Sequence, residues 1–336
     1  MKIVVDAFGG DNAPQAIVDG AVAAVAAREG LEVVLTGDSE KLNALLEGRS
    51  RNITVLHAPD VITNDDAPTS AVKKKTRSSM VVGLDALASD DSVSAMVSAG
   101  STGALLTGGF MKLGRIKGIS RPAMAPMLPS LSSQGVVLCD CGANADCKPV
   151  NLLHFAIMGT TFYTAMTGKE NPAVALLNNG TEEHKGNELT KQAYELLKQS
   201  GLNFIGNVEA RDLITGAADV IVADGFSGNV ALKSCEGTAL SMFSLIKKGI
   251  NEGGLKAKIG ALLLKPVFRK IKKVMDYGEN GGACFLGINK VLIKAHGSAS
   301  AKSVCAAVLQ AAQLAEAGIT DKIREGVAGF VSETAE

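Results

Sequence analysis

The chain has no Trp, only 3 Tyr and 10 Phe, so it offers few platforms on which nucleic-acid bases could stack. It has no excess of either charge: 34 Lys+Arg stand against 34 Asp+Glu in 336 residues. A surface built throughout for nucleic acid is therefore excluded. Pro is scarce, at 9 residues, which argues against a Pro-rich linker protein. The 6 Cys (Cys139, Cys141, Cys147, Cys235, Cys284, Cys305) are too few in so long a chain to form a disulfide framework. The most membrane-like stretch, Pro149 to Gly168, lacks Asp, Glu, Lys and Arg but carries Asn151, His154 and several Thr. It is predicted to be a buried helix rather than a membrane span. Met1-Lys-Ile-Val-Val-Asp6 opens directly on a strand pattern, with no basic n-region, apolar h-region and cleavage site. That start predicts a cytoplasmic protein.

Familiar catalytic signatures are missing too. There is no Walker A sequence, and Gly100-Ser-Thr-Gly103 is too short for the dinucleotide fingerprint. No Gly-x-Ser-x-Gly elbow occurs. His57, His154, His184 and His296 have no metal-type spacing. Cys139-Asp-Cys141 with Cys147 is oddly spaced for a metal, and its first Cys ends an apolar strand, so small buried side chains are expected there. No metal and no cofactor is expected. A chain without an evident covalent nucleophile suits a reaction whose substrate supplies the nucleophile.

What is present is a large core and much glycine. Hydrophobic residues are 46%, charged residues 20%, and Gly numbers 37. Short apolar runs alternate with helical patterns: Ile3–Val5, Val33–Leu35, Ile53–Val55, Ser94–Val97, Val136–Leu138, Val174–Leu177, Asn203–Ile205 and Val220–Val222. From Pro14 to Ala27, Ile17, Ala21 and Val25 share a helical face, with Asp11 or Asn12 as cap. Continuous rather than alternating apolar strands predict a mainly parallel sheet covered on both faces, a three-layer αβα architecture. Two lobes around a cleft fit this pattern, although no linker marks a boundary.

Most of these strands run into loops of Gly, Ser, Asn and Asp: Asp6 to Asn12, Ser98 to Gly103, Asp140 to Asn144, Asn178 to Thr181, and Asp224 to Asn229. Parallel sheets bind ligands outside the carboxyl ends of their strands. Gly lets backbone N–H groups approach an anion, and a following helix N-terminus favours it. Several such loops on one sheet edge predict a polar, phosphate-friendly site. Glu182 to Asn187 reads as the opening turn of a helix. A cation there is mildly disfavoured, which points to Lys185 as an anion ligand. Lys73-Lys-Lys-Thr-Arg77, read as lying near the start of a helix, is either a solvated run or a contact for an acidic partner.

Taken together the motifs resemble the PlsX family, the acyl-ACP:phosphate acyltransferases of bacterial phospholipid synthesis. The resemblance spans nearly the whole chain and rests on Val5-Asp-Ala-Phe-Gly-Gly-Asp-Asn-Ala-Pro14, Ser98-Ala-Gly-Ser-Thr-Gly-Ala-Leu105 and Ser120-Arg-Pro-Ala123. It continues through Gly142-Ala-Asn-Ala-Asp-Cys-Lys-Pro149, Phe204-Ile-Gly-Asn-Val-Glu209, Asp224-Gly-Phe-Ser-Gly-Asn-Val230 and Lys294-Ala-His-Gly-Ser298. Phe8 replaces the family's usual Met, and Cys284-Phe285 interrupts its Gly-rich stretch from Gly281 to Gly287. The resemblance implies a single catalytic unit over 1–336 with the fold of phosphate acetyltransferases and isopropylmalate dehydrogenases. It also implies attack of inorganic phosphate on the thioester of acyl-ACP, giving acyl phosphate and free acyl carrier protein.

The same resemblance implies Lys185 and Asn229 as catalytic residues. Gly10, Asn12, Ser98, Gly100, Ser101, Thr102, His296 and Ser298 are candidate substrate-binding residues. A homodimer and a downstream glycerol-3-phosphate acyltransferase are implied as partners. The alternatives are an acyl-CoA-dependent phosphate acyltransferase, a dehydrogenase of related architecture (for which no metal-binding Asp cluster is evident), and a non-catalytic membrane scaffold.

The neutral total conceals an asymmetry. Residues 247–273 hold nine Lys or Arg and one acid, net +8, so the rest of the chain is −8. Leu255, Ile259, Leu262 and Leu263 fall on one helical face of this segment, taken as 247–276, and Pro266 is expected to break or kink it. A basic amphipathic stretch fits reversible association with an anionic membrane, a dimer contact, an acidic-partner dock, or a helix on its own core.

Overall fold

The computed structural model describes residues 1–49, 51–131, 134–274 and 281–333. The strands form two sheets rather than one. The first contains β1 (Lys2–Asp6), β2 (Glu32–Gly37), β3 (Ile53–His57), β4 (Val93–Ser98), β5 (Ala123–Ala125), β11 (Ala283–Leu286) and β12 (Val291–Lys294). Its order is β3-β2-β1-β4-β12-β11-β5, parallel from β3 to β12 and antiparallel beyond. The second contains β6 (Met127–Leu128), β7 (Val136–Cys139), β8 (Val174–Asn178), β9 (Phe204–Glu209) and β10 (Val220–Val222). Its order is β6-β7-β10-β8-β9, with only β6 antiparallel. The chain passes between sheets at Pro126, which has no N–H to continue a ladder. Its carbonyl instead accepts from Leu138 N in the second sheet.

The helices are α1 (Gln15–Ala27), α2 (Ser39–Leu45), α3 (Pro68–Lys74), α4 (Ser79–Ser89), α5 (Thr102–Leu113), α6 (Pro149–Thr167), α7 (Glu188–Lys198), α8 (Gly225–Glu252), α9 (Gly254–Val274), α10 (Ala301–Glu316) and α11 (Ile319–Glu333). α1 and α10 cover one face of the first sheet, and α4 and α5 the other. α6 packs on β7 and β10 of the second sheet and touches α10, so one apolar core joins both sheets. α1 and α10 meet closely because α1 carries small residues: a Cβ on Gly20 would lie 2.5 Å from Val304 Cβ. As expected for Pro149 to Gly168, α6 is a buried helix, and it stops at Gly168, whose φ of 74° suits glycine. No helix among the described residues is long and apolar enough to cross a membrane.

Several local expectations are corrected. Neither Asp11 nor Asn12 caps α1; Pro14 holds the cap position, and Asn12 Nδ2 donates to the Ser298 and Ala299 carbonyls. α7 starts at Glu188, where Asn187 accepts from Thr190 N, so Lys185 lies in the loop before it and the dipole argument does not apply. Lys73 and Lys74 occupy the last turn of α3, where the helix dipole favours cations, and Lys75 pairs with Asp66 at 2.6 Å. Pro266 does not break α9, which runs through it. The basic segment is the end of α8 and all of α9, joined at Gly253-Gly254, while 275 and 276 lie outside the described residues.

Candidate active site

The site is built on the carboxyl ends of three neighbouring parallel strands. Asp6 closes β1, Ser98 closes β4 and Lys294 closes β12, and the registers align Asp6 with Ser98 and Ser98 with Lys294. The Ser98 hydroxyl donates to Asp6 Oδ2 at 2.7 Å and accepts from Gly100 N at 3.0 Å. Phe8 N donates to the other Asp6 oxygen at 3.3 Å. Burial raises the Asp6 carboxyl, partly offset by hydrogen bonds from Ser79, Ser98 and the backbone. This buried carboxylate ties the loop after β1 to the loop after β4. Gly9 is required at the junction, because a Cβ there would meet Asp6 Oδ2 at 2.5 Å and Gly100 N at 2.6 Å.

The loop after β12 closes the assembly. Asp11 N donates to the Gly297 carbonyl at 2.8 Å. Gly10 has a φ of 101° and no room for a Cβ, which would lie 2.8 Å from Gly297 O. Ser298 N and its hydroxyl both approach His296 Nδ1, at 3.2 and 2.8 Å. Nδ1 is thus an acceptor, so a neutral His296 keeps its proton on Nε2. Gly10, Asn12 and Ser98 are supports for the loops. Gly100, Thr102, His296 and Ser298 line a cavity of about 860 Å³. Ser101 caps α5 without a side-chain hydrogen bond and is not among the cavity residues.

The opposite wall comes from the second sheet. Asp140, just after β7, accepts from Met124 N, Ala143 N, Asn144 N and Asn144 Nδ2, which fixes the loop 140–144. Gly225 N, at the start of α8, donates to Asn144 O at 2.8 Å, and Asp224 caps α8 through Ser227 N. Gly228 packs on the Asp140 carbonyl where a Cβ would clash. Asn229 follows, and a Cβ on Gly142 would lie 3.8 Å from its Cγ. Asn229 lines the cavity with Cys141 and Gly142. Cys139 and Cys141 are buried small side chains, and burial pushes both thiols up.

Helices α5, α8 and α10 all begin around this space: Thr102, Asn229, Ser300 and Ser303 line it. Asp224 caps α8 and Ser300 caps α10 through Ser303 N, whereas α5 has no side-chain cap, so its first-turn amides are the ones that favour an anion. The lining also includes the apolar Met124, Met127, Leu128, Leu232, Leu240 and Phe243, with Lys233 and Glu236 of α8 among them. A lining that holds both polar and apolar side chains suits a ligand with both kinds of surface.

Lys185 is not among the cavity residues. It lies in the loop after β8, adjacent to β10 in the sheet, so its loop and the start of α8, which carries Asn229, lie at one edge. Its backbone is fixed by Lys185 N to Glu182 O and by Asn178 Nδ2 to Lys185 O, and its side chain lies over Gly180. Leu255, Ile259, Leu262 and Leu263 are all exposed, away from the cavity.

Lys294 escaped the reading of the residues. It lines the cavity with only 9% of its surface exposed. Nζ donates to Ala99 O at 3.2 Å and to Ala295 O. Burial lowers it to about 8, with Asp6 and Asp11 opposing the shift. The available signal was Val291-Leu-Ile293, an apolar run leading into Lys294 and a Gly-containing loop, like the other strand ends.

Comparison with known proteins gives concordant results. Residues 1–322 match the family model described as "Fatty acid synthesis protein". The chain is 48% identical over 333 residues to the phosphate acyltransferase of Bacillus licheniformis, covering 99% of this chain and 98% of that protein. It is 46% identical over 328 residues to the phosphate acyltransferase of Bacillus subtilis, covering 97% and 98%. Among solved structures, a phosphotransacetylase from Streptococcus pyogenes is similar with a TM-score of 0.62 at 19% identity, over 94% of both chains. A branched-chain phosphotransacylase from Enterococcus faecalis is similar with a TM-score of 0.58 at 15% identity, over 94% of this chain and 99% of that one. These two likenesses bear on the fold, and they agree with the architecture expected from the strand pattern.

Proposed function

Because the chain belongs to the fatty acid synthesis protein family, we propose that it is a phosphate acyltransferase taking fatty acyl groups from acyl carrier protein. Inorganic phosphate attacks the thioester carbonyl, and acyl phosphate and free acyl carrier protein leave. The observation that carries this reading is the cavity between the two sheets, lined by both polar and apolar side chains. Its polar lining, with the uncapped start of α5 at Thr102, Asn229 and His296, suits phosphate and a developing oxyanion. Its apolar lining residues, among them Met127, Leu128, Leu232 and Phe243, suit a hydrocarbon chain. The protein's task is to hold two anionic partners together and steady the tetrahedral intermediate.

Asn229 donates a hydrogen bond to the reacting centre in this reading. Lys185 neutralises phosphate or carrier-protein charge from the neighbouring loop. The product feeds a membrane-bound glycerol-3-phosphate acyltransferase, on the way to phosphatidic acid. The exposed Met242 and Leu245 of α8 support a homodimer contact. The exposed basic helix α9 supports transient association with an anionic membrane.

The test is mass spectrometry of a mixture of protein, long-chain acyl-ACP and phosphate. Acyl phosphate is the expected product, and formation from acetyl-CoA instead favours the acyl-CoA reading. Lys185→Ala is expected to fold normally, with its rate reduced about 10² to 10³-fold. Turnover by Lys185→Ala equal to wild type removes Lys185 from the mechanism.

A further inference from the structure

We propose that Lys294 is the general acid that protonates the departing thiol of the acyl donor. This rests on the acyl-transfer reading above and adds the proton source that reading lacks.

Geometry points to this residue. Nζ has three N–H donors, and two are used by the carbonyls of Ala99 and Ala295. Both carbonyls belong to residues that line the cavity, and Lys294 itself lines it. One donor therefore remains for a ligand. Among the described residues no carboxylate lies within ion-pair distance of Nζ. An unpaired buried ammonium is costly to folding, and a site in contact with a substrate gives it a use. The charged and titratable groups facing it are Asp6 from β1, Asp11 from the following loop and Lys233 from α8. His296 stands two residues further along its own strand end. Lys233 is engaged by Glu236 at 2.7 Å, and the Asp6 carboxylate by Ser98 and the loop amides.

The chemistry balances without a further reactant. An oxygen lone pair of hydrogen phosphate forms the new C–O bond, and the carbonyl electrons move onto oxygen. When they return, the C–S bond breaks and its electron pair goes to sulfur. Sulfur takes a proton from Nζ and leaves as a thiol. The esterified phosphate sheds its own proton, which restores Nζ to ammonium. Burial brings Lys294 to about 8. An ordinary alkyl thiol such as Cys lies near 8.5, so the transfer is close to isoenergetic, whereas a solvated Lys near 10.4 is a poor acid for it.

The experiment compares two acyl donors in the full-length protein. One is long-chain acyl-ACP, whose alkyl thiol needs a proton. The other is an acyl thiophenyl ester, whose thiolate leaves unaided at neutral pH. Lys294→Met is expected to lower kcat with acyl-ACP by about 10² to 10⁴-fold, the usual worth of general acid catalysis. With the thiophenyl ester it should stay within about tenfold of wild type, and KM for phosphate should barely move. Wild-type kcat with acyl-ACP should also fall as pH rises through about 8, a limb the variant lacks. Lys294→Arg keeps a cation and donors but cannot titrate; it should show the same selectivity between donors, and it serves if Lys294→Met fails to fold. Equal losses with both donors, or a loss confined to KM for phosphate, overturn the proposal. If wild type forms no acyl phosphate from either donor, the functional reading fails and this inference falls with it. Acyl phosphate from wild type with an unaltered donor preference in both variants overturns the inference alone.

Discussion

Burying the Lys294 ammonium has a consequence for stability separate from catalysis. Its ordinary value of 10.5 falls to about 8 in the folded chain. Below about 8 both states hold the proton, and the folded state bears the full desolvation penalty, about 3 kcal/mol at 1.36 kcal/mol per unit. Between about 8 and 10.5 the folded chain has released a proton that the unfolded chain keeps, so stability rises with pH across that window. Urea unfolding of wild type and Lys294→Met at several pH values tests this. Wild type should gain up to about 3 kcal/mol on the variant between pH 8 and 10.5. A constant difference means that Lys294 is solvated. Residues of this kind are poorly legible in a sequence. A lysine after Val291-Leu-Ile293 looks like a solvated strand end, because its burial depends on loops almost 200 positions away, such as Ala99. Asn229, Thr102 and His296 were singled out from Gly-rich stretches, and all three line the cavity, although Asn229 lies within α8 and Thr102 opens α5, neither in a loop. Lys185 was implied by the family resemblance, and the residue-level argument for it rested on a helix start that the chain places three residues later, at Glu188.

At the scale of elements, the long parallel strands were readable from continuous apolar runs, and β1 to β4 and β7 to β10 match them. The short antiparallel strands β5, β6 and β11 were not. Two to four residues carry no period, and their pairing is set by tertiary contact. The amphipathic face of α9 was readable, and its outward orientation now sharpens its meaning. Leu255 and Leu263 are each 74% exposed, and Ile259 and Leu262 are exposed beside them. Burying a Leu side chain in an acyl boundary yields about 1.5 to 3 kcal/mol. Each Lys or Arg near an anionic surface adds about 1 kcal/mol. Vesicles containing phosphatidylglycerol should therefore co-sediment with the protein, less so as salt shortens the reach of the charges. Leu263→Glu should weaken binding by tenfold or more, since it loses apolar burial and introduces repulsion. If the variant binds such vesicles as well as wild type does, α9 has another use, and the dimer contact takes precedence.

At the scale of the molecule, the strand pattern predicted one mainly parallel sheet and the family resemblance implied one catalytic unit, and neither indicated that two sheets would share it. The sharing is done by helices: α6 lies on β7 and β10, α10 lies on β4 and β12, and α6 touches α10. The buried residues Val5 and Val97 of the first sheet and Val137, Leu176 and Val220 of the second belong to one apolar cluster with Phe155 of α6. The cavity depends on this arrangement, because its two walls come from different sheets and a shift of one would separate Asn229 from Lys294 and His296. We expect the two sheets to unfold together. Phe155 is fully buried, so Phe155→Ala should cost about 3 to 5 kcal/mol. Hydrogen exchange read by mass spectrometry should then show the same loss of protection in β1 and β4 as in β7 and β10, since a single cooperative opening exposes both. Exchange confined to β7 and β10, with β1 and β4 still protected as in wild type, would mean two separate folding units. In that case the geometry of the cavity would rest on the docking of two independent halves, and substrate binding rather than a common core would have to hold its walls together.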